Sequence, residues 1–233
     1  MKLSILSLAS LAPLVSAHFK LNYPASRGFD EDKMSQFPCG GVSQSSERTK
    51  ISLSSGNFPV ALSMGHAQTA VEVLLALGND PGTNFNITLH PTFRVEGLGS
   101  FCLPNVAFQE SVVGVKLKEG MNATLQVQSN GDPSGGLYAC ADIQFTNTGS
   151  SIPSCSNNTG VKATSFSGDA ARRNANESTA DGQAQSGSSS HSTTSHSTTS
   201  STGHATSTGG AVSLETAAWG MLGAAVVGGI AIL

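Results

Sequence analysis

Charge is scarce in this 233-residue chain. Charged residues make up 12%, and 12 basic against 15 acidic side chains leave a net charge of −3. A face for a phosphate backbone needs clustered Lys and Arg, and no such cluster occurs, so nucleic acid is excluded as a partner. Aromatic side chains with a polar edge are equally few. Trp219 is the one tryptophan, and Tyr23 and Tyr138 are the two tyrosines, so a flat aromatic platform for gripping polysaccharide is missing. No stretch keeps a 3.6-residue apolar period, which removes helical bundles. The four cysteines, Cys39, Cys102, Cys140 and Cys155, include no Cys-x-x-Cys pair, which argues against a structural zinc site.

What the chain does contain starts with its two ends. Behind Lys2, Leu3 to Val15 is a short apolar run, and Val15-Ser16-Ala17 puts small residues at −3 and −1. Residues 1–17 therefore read as a signal peptide, cleaved after Ala17 so that His18 becomes the first residue of the mature protein. At the other end, Trp219 to Leu233 carries no charge but is short for a spanning helix, which needs about 20 apolar residues. No basic residue follows Arg173. Small residues, a polar spacer and an apolar tail fit a glycosylphosphatidylinositol (GPI) signal, 209–233, with Ser207 or Gly209 as the attachment residue. Residues 157–208 are polar and include two copies of His-Ser-Thr-Thr-Ser, at 191–195 and 196–200, the composition of an O-glycosylated, disordered stalk. Sequons at Asn86, Asn122, Asn157 and Asn176 agree with a secretory route. The expected address is the extracellular face of the plasma membrane, in proximity to the cell wall.

One domain remains, 18–156. Short runs of β-formers recur between turn signals: 50–53, 59–63, 70–77, 85–89, 112–117, 123–127 and 137–145. About seven strands in a chain of that length predict an all-β fold, an antiparallel sandwich of immunoglobulin-like type. In the last run, Leu137, Ala139, Ala141, Ile143 and Phe145 share one face, and Tyr138, Cys140, Asp142 and Gln144 the other. With the first face in the core, Asp142 projects from the second. An even cysteine count behind a signal peptide predicts two disulfides, for which three pairings exist; Cys39–Cys140 with Cys102–Cys155 is the expected one, and the others stay open.

A histidine at a processed N-terminus offers a metal both its α-amine and its ring Nδ1. A second imidazole completes a T-shaped three-nitrogen brace, which suits Cu(II). His66, in Met64-Gly65-His66-Ala67 between two apolar runs, is the candidate partner; His90, before Pro91, reads as a structural or surface residue. The amine must lose a proton to bind, which its free pKa of about 7.7–8.0 allows near neutrality.

Four segments resemble a known family: His18-Phe19-Lys20-Leu21-Asn22-Tyr23-Pro24, Phe37-Pro38-Cys39-Gly40-Gly41, Gly65-His66 and Tyr138-Ala139-Cys140-Ala141-Asp142-Ile143. In order, they are similar to the fungal copper-acquisition-factor proteins of the Bim type, relatives of lytic polysaccharide monooxygenases. The resemblance spans the whole of 18–156 and leaves the disulfide pairing undecided. It implies an immunoglobulin-like sandwich binding one copper ion, with His18 giving amine and ring, His66 its ring and Asp142 a carboxylate beside the metal. It also implies copper uptake at the cell surface, with hand-over to a membrane importer, and no polysaccharide oxidation. Two other readings stand beside it. A copper-dependent polysaccharide monooxygenase would use the same brace but needs an open coordination position, which a carboxylate would shield. A metal-free wall or adhesion module would make His18 an accident.

Overall fold

A computed structural model describes residues 18–131, 133–148 and 153–186. The expected signal peptide (1–17), the His-Ser-Thr repeats, the GPI signal and its attachment residues Ser207 and Gly209 lie outside the described residues.

Among the described residues, nine strands form two sheets. The smaller is antiparallel, in the order β1 (Phe19–Tyr23), β3 (Asn57–Met64), β6 (Gly99–Ala107). The larger runs β2 (Thr49–Ser52), β8 (Gly136–Thr146), β7 (Asn122–Asn130), β4 (Gln68–Leu77), β5 (Ile87–Glu96), β9 (Lys162–Ser165). Among the described residues, only β2 pairs parallel, against β8. The sheets bury their facing sides together: Phe19, Leu21, Val60, Leu62 and Phe101 from one meet Val71, Val73, Leu75, Leu125, Val127 and Ile143 from the other. The expected all-β sandwich is the observed fold. The period-two reading of β8 also holds, since Leu137, Ala139, Ala141, Ile143 and Phe145 all lie in this core.

Where strands differ from expectation, glycine and proline account for it. The run 112–117 is not a strand: Glu110–Val113 makes a single helical turn, α1, and Gly114 (φ 79°) ends it in the left-handed region, its N–H donating to the Glu110 carbonyl at 2.8 Å. Strand β6 contains Pro104, which obscures it in the sequence; it sits at the open edge of its sheet, where proline costs no ladder bond.

The outer face of the large sheet is covered rather than solvated. Residues 24–48 cross β8 and β7, tied by Arg27 N–H to the Cys140 carbonyl (2.8 Å) and Tyr138 N–H to the Met34 carbonyl (2.8 Å). The Cys39–Cys140 disulfide fastens this segment, and Cys102–Cys155 ties the chain after β8 to β6. Gly40 adopts φ 64° in the segment, and a Cβ there would lie 2.7 Å from the Tyr138 carbonyl oxygen. This close approach is the reason for glycine directly after Cys39.

Residues 157–186, expected within the stalk, fold onto the domain instead. Strand β9 pairs with β5, and a strap through α2 (Asp169–Arg172) crosses β4, β7 and β8. Ala175 N–H donates to Glu72 Oε2 (3.0 Å), Thr92 Oγ1 donates to the Arg173 carbonyl (2.6 Å), and Asn176 Nδ2 donates to the Tyr138 hydroxyl (3.1 Å). The strap is polar because the surface it covers is polar: Glu72, Gln126, Gln128 and Thr124 face it and the 24–48 segment, and all are buried. Composition alone reads such a segment as unfolded, since its bonds replace the apolar burial that usually marks a folded one.

Candidate metal centre

Histidine 18 opens β1. Its neighbour Phe19 pairs with Met64 of β3, and beyond that pair Gly65 N–H donates to the His18 carbonyl at 2.9 Å. The ladder thus sets His18 beside the Gly65-His66-Ala67 turn that carries the chain from β3 in the small sheet to β4 in the large one. Both imidazoles are partly exposed at this corner.

The ring of His66 has a defined tautomer. Its Nδ1 lies 2.8 Å from the Gln68 carbonyl oxygen. A carbonyl only accepts, so Nδ1 carries a proton, and in the neutral ring the lone pair is on Nε2. Ligating histidines are commonly oriented through such a bond from the second ring nitrogen.

The ring of His18 presents Nδ1 to a carboxylate, Glu31 Oε1, at 3.0 Å. An open cleft of about 400 Å3 runs along this edge, lined by His18, Phe19, Lys20, Phe29, Glu31 and Ser63. The Lys20 ammonium lies 4.6 Å from the centre of the Phe29 ring, so its charge is directed over the aromatic face.

Asp142 has a different environment. Arg27 grips it in a bidentate pair, Nε to Oδ2 at 2.9 Å and Nη2 to Oδ1 at 2.8 Å. Ser45 N–H donates to Oδ2 (2.8 Å) and Thr124 Oγ1 to Oδ1 (3.1 Å), with Arg48 Nη1 3.7 Å from Oδ1. Burial alone would raise this carboxyl's pKa, but the Arg27 guanidinium, the Ser45 amide and the Thr124 hydroxyl outweigh it and hold it below the usual carboxylate range. It projects from the second face of β8, beside the Cys39–Cys140 bridge, as the alternation predicts. It is neither solvated nor brought together with the two histidines. Its oxygens are occupied in tying residues 24–48 to the sheet. The acidic side chain that the fold places beside His18 is Glu31.

Sequence reasoning missed Glu31 and Arg27. Arg27 and Asp142 are 115 residues apart and carry no local pattern. Glu31 sits in Asp30-Glu31-Asp32, an acidic run that reads as a solvated turn until the fold sets it against His18. His90 is structural as expected, with Nδ1 2.8 Å from the Pro91 carbonyl and its ring edge-on to Phe93.

Among the described residues, no three His, Cys, Asp or Glu side chains converge to hold a metal ion. The backbone does bring His18 beside the turn that carries His66, and the remaining nitrogen of a brace would be the α-amine of His18, a backbone group. Imidazole and amine nitrogens suit copper, so this donor set fits that cargo.

The fold and this corner define a two-sheet β-sandwich with a histidine pair at the start of its first strand. The model of the BIM1-like copper acquisition factor domain matches residues 16–160, and the chain belongs to that family. It is 69% identical to an uncharacterized protein of Aspergillus fumigatus over the full length of both. It is 34% identical to the lytic polysaccharide monooxygenase-like protein X325 of Yarrowia lipolytica, over 72% of this chain and 64% of that protein. It is likewise 34% identical to copper acquisition factor BIM1 of Cryptococcus neoformans, over 60% of this chain and 65% of that one. The matched region thus spans about two-thirds of those two relatives.

Proposed function

We propose that this protein captures Cu(II) at the cell surface through a histidine brace and hands it on, without cleaving polysaccharide. The amine and Nδ1 of His18 and Nε2 of His66 are the proposed ligands, holding one ion per domain. The observation that carries the reading is the pairing of the His18 backbone with the His66 turn, together with the Gln68 carbonyl that leaves Nε2 of His66 as the lone-pair nitrogen. Membership of a copper acquisition family supports it. Glu31 Oε1 lies 3.0 Å from Nδ1 of His18, a contact that a protonated Nδ1 makes; copper would take the place of that proton, and the carboxylate would then add negative charge that favours the divalent ion.

In the unprocessed chain the backbone nitrogen of His18 is an amide and cannot ligate as an amine does. Cleavage after Ala17 would create the third ligand, so secretion and activation of the site are one event. Release would follow reduction, because Cu(I) prefers softer ligands, or acidification, because both imidazoles and the amine must shed protons to bind. A GPI anchor at Ser207 or Gly209 would keep the site at the membrane, near an importer and the wall.

The test is Cu(II) titration of secreted protein beginning at His18, beside the same protein with one extra N-terminal glycine. One equivalent is expected to bind tightly, with at least about tenfold weaker binding in the extended form and in His66→Ala. Equal binding by both forms would discard the brace. Release of oxidised oligosaccharides in the presence of reductant, abolished by His66→Ala, would replace the carrier with an enzyme.

A further inference from the structure

Far from His18 in the sequence, a second cavity of about 300 Å3 opens on the covered face of the large sheet. Phe37, Leu74 and Phe85 form its apolar side, and Asn86, Asn174 and Gln128 line the polar one. The polar side carries amides and no charge, which suits hydroxyl and acetamido groups rather than a phosphate or a carboxylate. Phe37 is 48% exposed although it belongs to an aromatic cluster, edge-on to Phe85 (6.2 Å) and Tyr138 (5.2 Å). A well-anchored ring turned to water at a small cavity is a hydrophobic surface lacking its cover.

The cover has a tether on the page. Asn86-Ile87-Thr88 is a glycosylation sequon at the entrance to β5, and Asn86 lines the cavity. Asn86 and Thr88 are both exposed, and the Asn86 carboxamide makes no hydrogen bond among the described residues. The other three sequon amides are engaged. Asn122 donates to Asn79 and accepts from Gln144; Asn157 accepts from Cys102 N–H and donates to the Val161 carbonyl; Asn176 donates to Tyr138 and accepts from Gln128.

We propose that Asn86 carries an N-linked glycan whose first N-acetylglucosamine seats in this cavity, its C–H face on the Phe37 ring and its polar groups toward the Asn174 and Gln128 amides. The attachment forms one N-glycosidic bond from Asn86 Nδ2 to C1 of the sugar as the C1–O bond to the donor's lipid pyrophosphate breaks; the pyrophosphate leaves and one Nδ2 proton is lost. The sugar is then part of the fold, closing an aromatic surface that the polypeptide leaves open.

The full-length protein secreted from a host that attaches N-glycans provides the test. Peptide mass spectrometry is expected to find Asn86 occupied. Asn86→Gln should lower the thermal midpoint by about 2–5 °C, and the same change in a Phe37→Ala background should not. Endoglycosidase trimming to a single sugar should leave the midpoint unchanged, because only that sugar touches the ring. Should Phe37→Ala fail to fold, the N-acetyl methyl resonance of the trimmed wild-type glycoprotein decides: a ring-current upfield shift supports the contact, and a solvent-like position overturns it. An unoccupied Asn86, or an equal midpoint loss in both backgrounds, also overturns the proposal. So does binding of free chitobiose by Asn86→Gln protein together with no effect of the attached glycan, which would make the occupant external.

Discussion

Asp142 is where a resemblance-based role and a structural role make opposite predictions. As a copper ligand its loss would weaken copper binding by more than about tenfold while leaving the fold intact. The structure points the other way. The side chain of Asp142 is fully buried, that of Arg27 is 8% exposed, and four hydrogen bonds converge on the two carboxylate oxygens. Removing one partner of a buried, hydrogen-bonded pair strands the other charge, which costs about 3–5 kcal/mol. At about 2–4 °C per kcal/mol for a domain of this size, Asp142→Ala should lower the unfolding midpoint by roughly 6–20 °C. Asp142→Asn keeps the shape but turns an NH2 toward donors, and should fall between the two. Circular dichroism melts of the metal-free protein starting at His18 give the first readout, and Cu(II) titration at a temperature where the variant stays folded gives the second, expected within about threefold of wild type. The acid limb offers a third. Because the native pKa is lowered, the stabilisation is full above the ordinary carboxylate range near pH 4 and is lost as pH falls through the native value. Asp142→Asn should abolish that part of the acid dependence. A variant with a wild-type melt and collapsed copper binding would refute the structural role and restore the carboxylate to the metal.

Three further outcomes follow from the covered face of the large sheet. Glu72 is buried, and burial raises its pKa despite the Ala175 and Gln128 donors, with the nearby Glu177 charge adding to the rise. Its contribution is therefore greatest below the ordinary carboxylate range and is lost as pH rises through the raised native value, so Glu72→Gln should gain about 1 kcal/mol at pH 7 and none at pH 4, by urea unfolding at each pH. Gly40→Ala should cost more than about 1 kcal/mol, because it places a Cβ at φ 64° and 2.7 Å from the Tyr138 oxygen; a melt within 1 °C of wild type would contradict this. A chain ending at Gly160 loses β9 and the strap, and with them the Ala175 donor and the cover over Glu72. It should melt earlier and exchange amide protons faster at Phe93–Glu96 of β5, measured by hydrogen–deuterium exchange.

What could be read from the sequence divides along physical lines. Strands with local signals were legible: β8 shows its alternation, and β4 is a run of apolar residues between turn signals. The corner of the candidate site was legible for a different reason. The expected processing site would put His18 at a chain end, and a short break between apolar runs isolates His66, so both features are local. The partners of these residues were not legible. Glu31 reaches His18 only after residues 24–48 fold across β8, and Arg27 reaches Asp142 across 115 residues. Sequence spacing holds no record of such pairs, because each arises from where a covering segment lands.

The same logic explains why the folded part of the chain runs past residue 156. Apolar periodicity ends near Cys155, and a reading that equates folding with apolar burial stops there. The strap beyond it is held by bonds to buried polar groups, and neither surface can be left alone: without the strap, Glu72 loses its Ala175 donor, and without Glu72, the Ala175 N–H is left without its acceptor. Polar covering of this kind has a consequence for the proposed function. Residues 24–48 are fixed to the large sheet by the Arg27–Asp142 pair and the Cys39–Cys140 bridge, and they carry Glu31 to the ring of His18. On the proposed function, Asp142 would act on this corner through position rather than ligation. Loosening its pair should broaden the copper spectroscopic signature before it weakens binding, an order of events that direct ligation would reverse.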